Sequence, residues 1–161
     1  VYAGELRLDD VEHIGCTEAE LPRTLLKAGD LLVVEGNGSI DQIGRSAVWD
    51  GQIAPCLHQN HLIKVRFTER VMADWVQTWL QSPHGRQEIV NCASSTSGLH
   101  TLSISKIEAI RVPIAGLAEM AAALGMIASA GQPAEQIGHF GEVGDLRQSI
   151  LAAAFRGELA A

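Results

Sequence analysis

No stretch of this chain approaches the 18 or so uninterrupted apolar residues of a membrane-spanning helix, so no such span is expected. The N-terminus has no basic segment leading into an apolar one, which argues against a secretion signal. An initiator Met is also missing, the first being Met72, and the chain reads as a fragment of a longer protein or a processed form. Cysteine is scarce: Cys16, Cys56 and Cys92 are odd in number and scattered, which speaks against a disulfide framework and suits a reducing cytoplasm. Basic charge is in deficit, with 12 Lys and Arg against 19 Asp and Glu and a net charge of −7. Taken alone, that deficit counts against a nucleic-acid partner, because phosphate contact calls for Lys and Arg.

The deficit is local. Residues 1–41 carry a net −6, whereas residues 42–106, with Arg45, Lys64, Arg66, Arg70, Arg86 and Lys106, carry +2. The middle of the chain can therefore present a basic face. With 161 residues, 47% of them hydrophobic and 19% charged, the chain has the composition of one globular domain, or one domain with an arm.

Periodicity separates the chain into two parts. The short β-branched run Leu31–Glu35 predicts a strand, with Gly36-Asn37-Gly38-Ser39 as a loop after it. Residues Gln42–Trp49 predict a second strand. His61–Phe67 alternates as a half-exposed strand does, with Leu62, Val65 and Phe67 expected inward and Lys64 and Arg66 outward. The spacing of Val71, Trp75 and Trp79, with Met72, Val76 and Leu80 beside them, predicts a helix over 71–81 whose aromatic stripe is core. Ser82-Pro83 reads as N-cap and first residue of a second helix ending near Cys92. Ser105 with Glu108 resembles a capping box for a short helix stopped by Val112-Pro113. Beyond Ile114 the chain turns Ala-rich and helical, interrupted by Gly125, Gly131 and Pro133, and from Asp145 a further helical stretch carries an apolar seam of Leu146, Ile150, Ala153 and Ala154. The expected fold class is α+β: a mixed α/β globular domain over 1–114, then a helical, coiled-coil-type arm over 115–161.

Enzyme signatures are poor. Cys56, His58 and His61 supply three ligands at most, without a second paired motif, and read as structural residues rather than a zinc site. The Gly36-Asn37-Gly38 loop lacks the Lys-Ser/Thr of a phosphate-binding loop. No G-x-S-x-G elbow occurs, which leaves a small hydrolase with little support.

Polar residues suited to reading a polymer are plentiful. From Ser94 to Ser105, seven of twelve residues carry a hydroxyl (Ser94, Ser95, Thr96, Ser97, Thr101, Ser103, Ser105), with His100 among them and Lys106 following. Such a segment offers small donors and acceptors for phosphate or sugar contacts, or it merely caps helices and turns. Leu99, Leu102 and Ile104 are expected to anchor it. Asn37, Ser39, Gln42, Arg45, Gln59, Asn60 and His61 add side chains of the kind that pair with base edges, or that solvate loops.

Five segments, taken in order, resemble the specificity subunit of type I restriction–modification systems: LLKAGDLLVVEGNGS (25–39), IGRSAVW (43–49), HQNHLIKVRF (58–67), GRQEIVNCASSTSGLHTLSISKIEAIRVPI (85–114) and LRQSILAAAFRGEL (146–159). The resemblance implies a non-catalytic protein with target recognition domains, each reading half of a split DNA sequence, separated by long helices. Those helices dock methyltransferase subunits, which bind S-adenosylmethionine, and nuclease–translocase subunits join the assembly; no cofactor is expected in this chain itself. On that pattern residues 1–114 correspond to one target recognition domain and 115–161 to its helical spacer. One recognition domain implies either a piece of a full subunit or a half-subunit that pairs with a second copy through the arm, giving a palindromic split target. The spacer departs from the family pattern at Glu119-Met120, where Glu-Gln is usual.

From the residues and the resemblance together, duplex DNA is the expected ligand. Phosphate contacts fall to Lys64, Arg66, Arg86, Lys106 and the hydroxyl segment with Ser95, Thr96 and Ser97; base reading falls to Asn37, Ser39, Gln42, Arg45 and His100. Leu146, Ile150 and Phe155 are expected to pair helices and dock partners. The alternative from a different class is a protein–protein adaptor without DNA contact.

Overall fold

The computed structural model describes residues 1, 4–59, 61–96 and 98–130. The arm residues Leu146, Ile150 and Phe155, like Asn60 and Ser97, lie outside that set. Along the described chain run α1 (Leu21–Thr24), β1 (Leu31–Val34), β2 (Gly36–Asn37), β3 (Ser46–Val48), β4 (Leu62–Val65), α2 (Arg70–Gln81), α3 (Pro83–Cys92), β5 (Ser94–Thr96), β6 (Leu99–Thr101), α4 (Ile104–Ala109) and α5 (Leu117–Ala130). The architecture is mixed α and β, with two small antiparallel sheets ordered β3-β1-β4 and β2-β6-β5. None of the described helices is long and apolar enough to cross a membrane.

Strand β1 is buried at Leu31, Leu32 and Val33 in succession because both of its faces are covered. Leu31 and Val33 face a core made with Ile43, Ile63, Trp79, Leu80, Ile89 and Leu102, while Leu32 packs with Leu26 and Trp49 on the other side. The same two-sided packing corrects the expected direction of Leu62 in β4, while Val65 and Phe67 lie inward as expected. Ile63, Val65 and Phe67 belong with the main core, and Leu62 points the other way, toward the Leu32 and Trp49 cluster. With apolar residues on both faces, alternation by itself assigns no inward side. The second expected strand is also shorter than 42–49: residues 40–44 form a turn, and only Ser46–Val48 pairs with β1.

The aromatic stripe of α2 is core, as its spacing predicts. Trp79 sits against the main sheet; Trp75 packs with Met120 and Ala123 of α5, and its indole N–H donates to the Pro113 carbonyl at 2.7 Å. Ser82 caps α3 by accepting from Gly85 N–H at 3.1 Å. For α4 the cap is Ser103, two residues earlier than the capping box suggested: its hydroxyl accepts from Lys106 N–H and meets the Ser105 hydroxyl at 2.9 Å. The Ala-rich helix α5 continues through Gly125 without a break.

An ion pair joins the β1 turn to the end of β4. Asp30, only 1% exposed, receives Lys27 N–H at 2.7 Å and the Arg66 guanidinium through two bonds of 2.6 Å. Burial is the largest single influence on Asp30 and favours its protonated form. The hydrogen bonds from Arg66 and Lys27, with the charges of Arg66 and Lys64, outweigh it and hold the carboxyl below its usual range. A carboxylate depressed on folding stabilises the fold above the unfolded pKa of about 4, and that contribution drains away as pH falls through the folded value. Removing one partner of a fully buried pair costs roughly 3–5 kcal/mol. Arg66 is 40% exposed, so solvent screening reduces the expected cost of Asp30→Asn to about 2 kcal/mol. Urea titrations of Asp30→Asn and the unaltered chain should show that gap at pH 7 and its closure below about pH 4. A gap independent of pH would contradict the assignment.

Candidate nucleic-acid interface

The hydroxyl-rich segment is a β-hairpin, and its partner is the Gly36-Asn37 segment read from sequence as a loop. Asn37 stands opposite His100, and His100 stands opposite Ser95 on its other side. Directly paired residues on neighbouring antiparallel strands project from the same face, with Cβ atoms about 5 Å apart. Asn37, His100 and Ser95 therefore form one polar row across the sheet. Thr101 and Ser94 form the adjacent row on the opposite face, beside Gly36. Glu35 couples this sheet to the larger one: its N–H donates to His61 O at 3.0 Å and its carbonyl accepts from Leu102 N–H at 2.7 Å.

The row is held in place from several directions. Asn37 Oδ1 accepts from Ser39 N–H at 2.9 Å, closing a local turn, and its amide nitrogen makes no bond to another described residue. Ser39 O in turn accepts from Gln42 N–H at 3.1 Å. Lys106 Nζ donates to the Ser94 hydroxyl, tying α4 to the hairpin. Of the three expected anchors only Leu102 is buried; Leu99 is 48% and Ile104 64% exposed. The hairpin is fixed chiefly by backbone pairing on both sides of β6 and by Leu102 at its base.

The expected cations divide into groups. Lys64 and Arg66 are not in the row: they stand on β4, in the larger sheet. Lys64 Nζ donates to the carbonyls of Arg23 (2.5 Å) and Leu25 (3.0 Å), while Arg66 serves Asp30 and Leu25 O. Burial lowers the Lys64 pKa, Arg66 adds to that effect and Asp30 opposes it. Arg86 reaches from α3 to the 40–43 turn, and Arg45 sits half-buried between that turn and β3, its carbonyl accepting from Val34 N–H at 2.9 Å. Asn37, Ser39, Gln42, Ser95 and His100 are thus gathered on the small sheet and its adjoining turn, with Thr96 next to Ser95 in β5.

Among the described residues, no group of three or more His, Cys, Asp or Glu is arranged to hold a metal. His58, considered above as a ligand, bonds instead to the carbonyls of Gln59 (2.9 Å) and Arg23 (3.2 Å). A cavity of about 960 Å³ beside β4 is lined mainly by aliphatic side chains such as Val65, Met72, Val76, Ile107 and Ile110. Of the residues singled out from sequence for DNA contact, only Lys64 and Arg66 reach it. The Asp30 partner of Arg66 escaped the sequence reading: the two are 36 positions apart, and no local spacing announces the pair.

No family model matches the chain. Among curated proteins it is 33% identical to the "Type I restriction enzyme EcoKI specificity subunit" of Escherichia coli strain K12, over 171 aligned positions that take in all of this chain and 36% of that protein. It is 30% identical to the "Type I restriction enzyme StySPI specificity subunit" of Salmonella potsdam, over 84% of this chain and 31% of that one. The chain spans about a third of the length of these relatives. Over the stretch it spans, with similarity to the first of these relatives running along the whole of this chain, the chain belongs to the type I restriction enzyme specificity subunit family.

Proposed function

We propose that this chain is a sequence-reading portion of a type I specificity subunit: a cytoplasmic, non-catalytic module that recognises one half of a split DNA target. Residues 1–114 act as the recognition domain, and 115–161 serve as a helical spacer for methyltransferase and restriction subunits and for pairing with a second copy. S-adenosylmethionine belongs to the partner methyltransferase. The observation that carries the reading is the Asn37–His100–Ser95 row, whose side chains share one face of a sheet rigidly tied to the core. Asn and His present hydrogen-bonding edges of the size of a base edge, and a small hydroxyl flanks them. Lys106, whose Nζ donates to Ser94 at the edge of that sheet, is the residue we assign to a phosphate contact.

Each good base contact is worth about 1–3 kcal/mol of discrimination. Asn37→Ala and His100→Ala should therefore each weaken binding of the target half-site by roughly 5- to 150-fold, with little effect on unrelated duplexes. Lys106→Ala should weaken all duplexes alike and reduce the salt slope by about one. These effects are read by titrating duplex DNA with the methyltransferase assembly containing this chain at several salt concentrations, after the target has been located from the methylation pattern of cells carrying the system. Absence of duplex binding even at low salt would overturn the reading in favour of a protein–protein adaptor.

A further inference from the structure

Arg86 is a basic residue in the mildly positive half of the chain, and on charge alone it suits a phosphate. Its guanidinium is occupied differently. One terminal nitrogen donates to Ile43 O at 2.7 Å, and the other reaches Ile40 O at 3.3 Å and Asp41 O at 3.2 Å. One planar fork from α3 thus gathers three carbonyls of a single turn more than 40 residues earlier in the chain. A guanidinium is suited to this because its N–H groups diverge in a fixed plane, whereas an ammonium is a compact point charge on a flexible stem. Burial lowers the pKa of Arg86; the Asp41 charge opposes that effect and Arg45 adds to it.

The turn is seated on the same helix face by packing. Gly44 has φ +67° and lies over Ile89, one helical turn beyond Arg86; a Cβ at Gly44 would fall 2.6 Å from Ile89 Cγ2. Gly44 N–H donates to Val34 O at 3.1 Å, which joins the turn to β1. From this seat the connection runs backward through Gln42 N–H to Ser39 O, and through Ser39 N–H to Asn37 Oδ1, at the end of the polar row. Releasing Arg86 to a phosphate would strip its three carbonyls of their donor.

We infer that Arg86 is a positioning residue for sequence readout: it clamps the 40–43 turn and so sets Asn37, Ser39 and Gln42 against the base edges, without itself neutralising a phosphate. The inference rests on the DNA-reading function proposed above. A phosphate contact and a clamp have different signatures. A phosphate contact weakens all duplexes together when lost and removes about 0.9 from the slope of log K against log salt. Loss of a clamp lowers target affinity selectively and leaves that slope unchanged.

The test uses the methyltransferase assembly carrying Arg86→Met or Arg86→Lys, with target and scrambled duplexes across a salt series. Arg86→Met should lose about tenfold or more on the target duplex, the scale of lost hydrogen bonds to a charged group, and nothing on the scrambled one. Arg86→Lys, which keeps the charge, should recover little of the loss. In the same assemblies without DNA, hydrogen exchange at the Gln42 and Gly44 amides should accelerate in Arg86→Met while the amides of β1 stay protected, separating a loosened turn from a failed fold. Equal losses on both duplexes with a shallower slope, full rescue by Lys, or unchanged exchange at Gln42 and Gly44 would each overturn the inference. Absence of target preference in the unaltered assembly would instead overturn the DNA-reading function, with the exchange measurement still deciding whether Arg86 is a clamp.

Discussion

Trp79→Ala is expected to lower stability by about 3–5 kcal/mol, the range for truncating a buried aromatic. Trp79 is 4% exposed and packs in the cluster that joins β1 and β4 to α2 and α3. No neighbouring element is free to collapse into the space, because Leu31, Val33 and Ile63 are held by the sheet register and Ile89 by the 40–44 turn. Domains of this size have a total stability of about 5–15 kcal/mol, so the variant should retain a small margin or none at 37 °C. Urea denaturation followed by far-UV circular dichroism measures the difference directly. A loss under about 1 kcal/mol would contradict the placement of Trp79 as a packed core residue.

The second large effect is expected at Gly85. In an isolated helix Gly→Ala gains up to about 1 kcal/mol, because alanine is the better helix former. Here steric contact decides the sign. A Cβ on Gly85 would fall on the Trp79 carbonyl oxygen and 2.7 Å from Leu80 Cα, both of them backbone of the preceding helix and unable to swing aside. The Trp79 carbonyl also accepts from Ser82 N–H at 2.9 Å, so relief of the clash would pull on the corner between α2 and α3. Gly85→Ala should therefore cost about 3 kcal/mol or more despite its helix propensity, the upper end for overpacking. Thermal unfolding gives the stability change. Gly125→Ala serves as the control: a Cβ there meets nothing within 4 Å, so it should be neutral or stabilising.

Much of the architecture was legible in local patterns. The α2 helix and its buried aromatic face follow from the spacing of Val71, Trp75 and Trp79, and Ser82-Pro83 marks the start of α3 through capping chemistry confined to neighbouring residues. Local patterns misled where two partners competed for one role. Ser103 and Ser105 are both plausible caps, and only the chain direction entering α4 selects Ser103. In β4, apolar groups are needed on both faces, so alternation could not tell Leu62 from Ile63. The hairpin from Ser94 to Thr101 was hidden for a different reason. Its strands lack an apolar face, and they are aligned by pairing with Gly36-Asn37, some 60 positions away.

The sequence by itself determined the helix-forming stripes, the strand that must be buried, the local balance of charge and the ordered segments that place the chain in its family. It also supplied the side-chain chemistry of the proposed interface: Asn37, Ser95, His100 and Lys106 are side chains of the kinds that read or hold a nucleic acid. Tertiary structure alone decided which of them stand together and which basic residues are already engaged. Strand register put Asn37, His100 and Ser95 in one row, while packing turned Arg66 toward Asp30 and Arg86 toward the 40–43 turn. The physical reason lies in range. Periodicity and capping are settled within a few residues of the chain, whereas register and charge pairing link segments tens of residues apart and are selected only as the core closes.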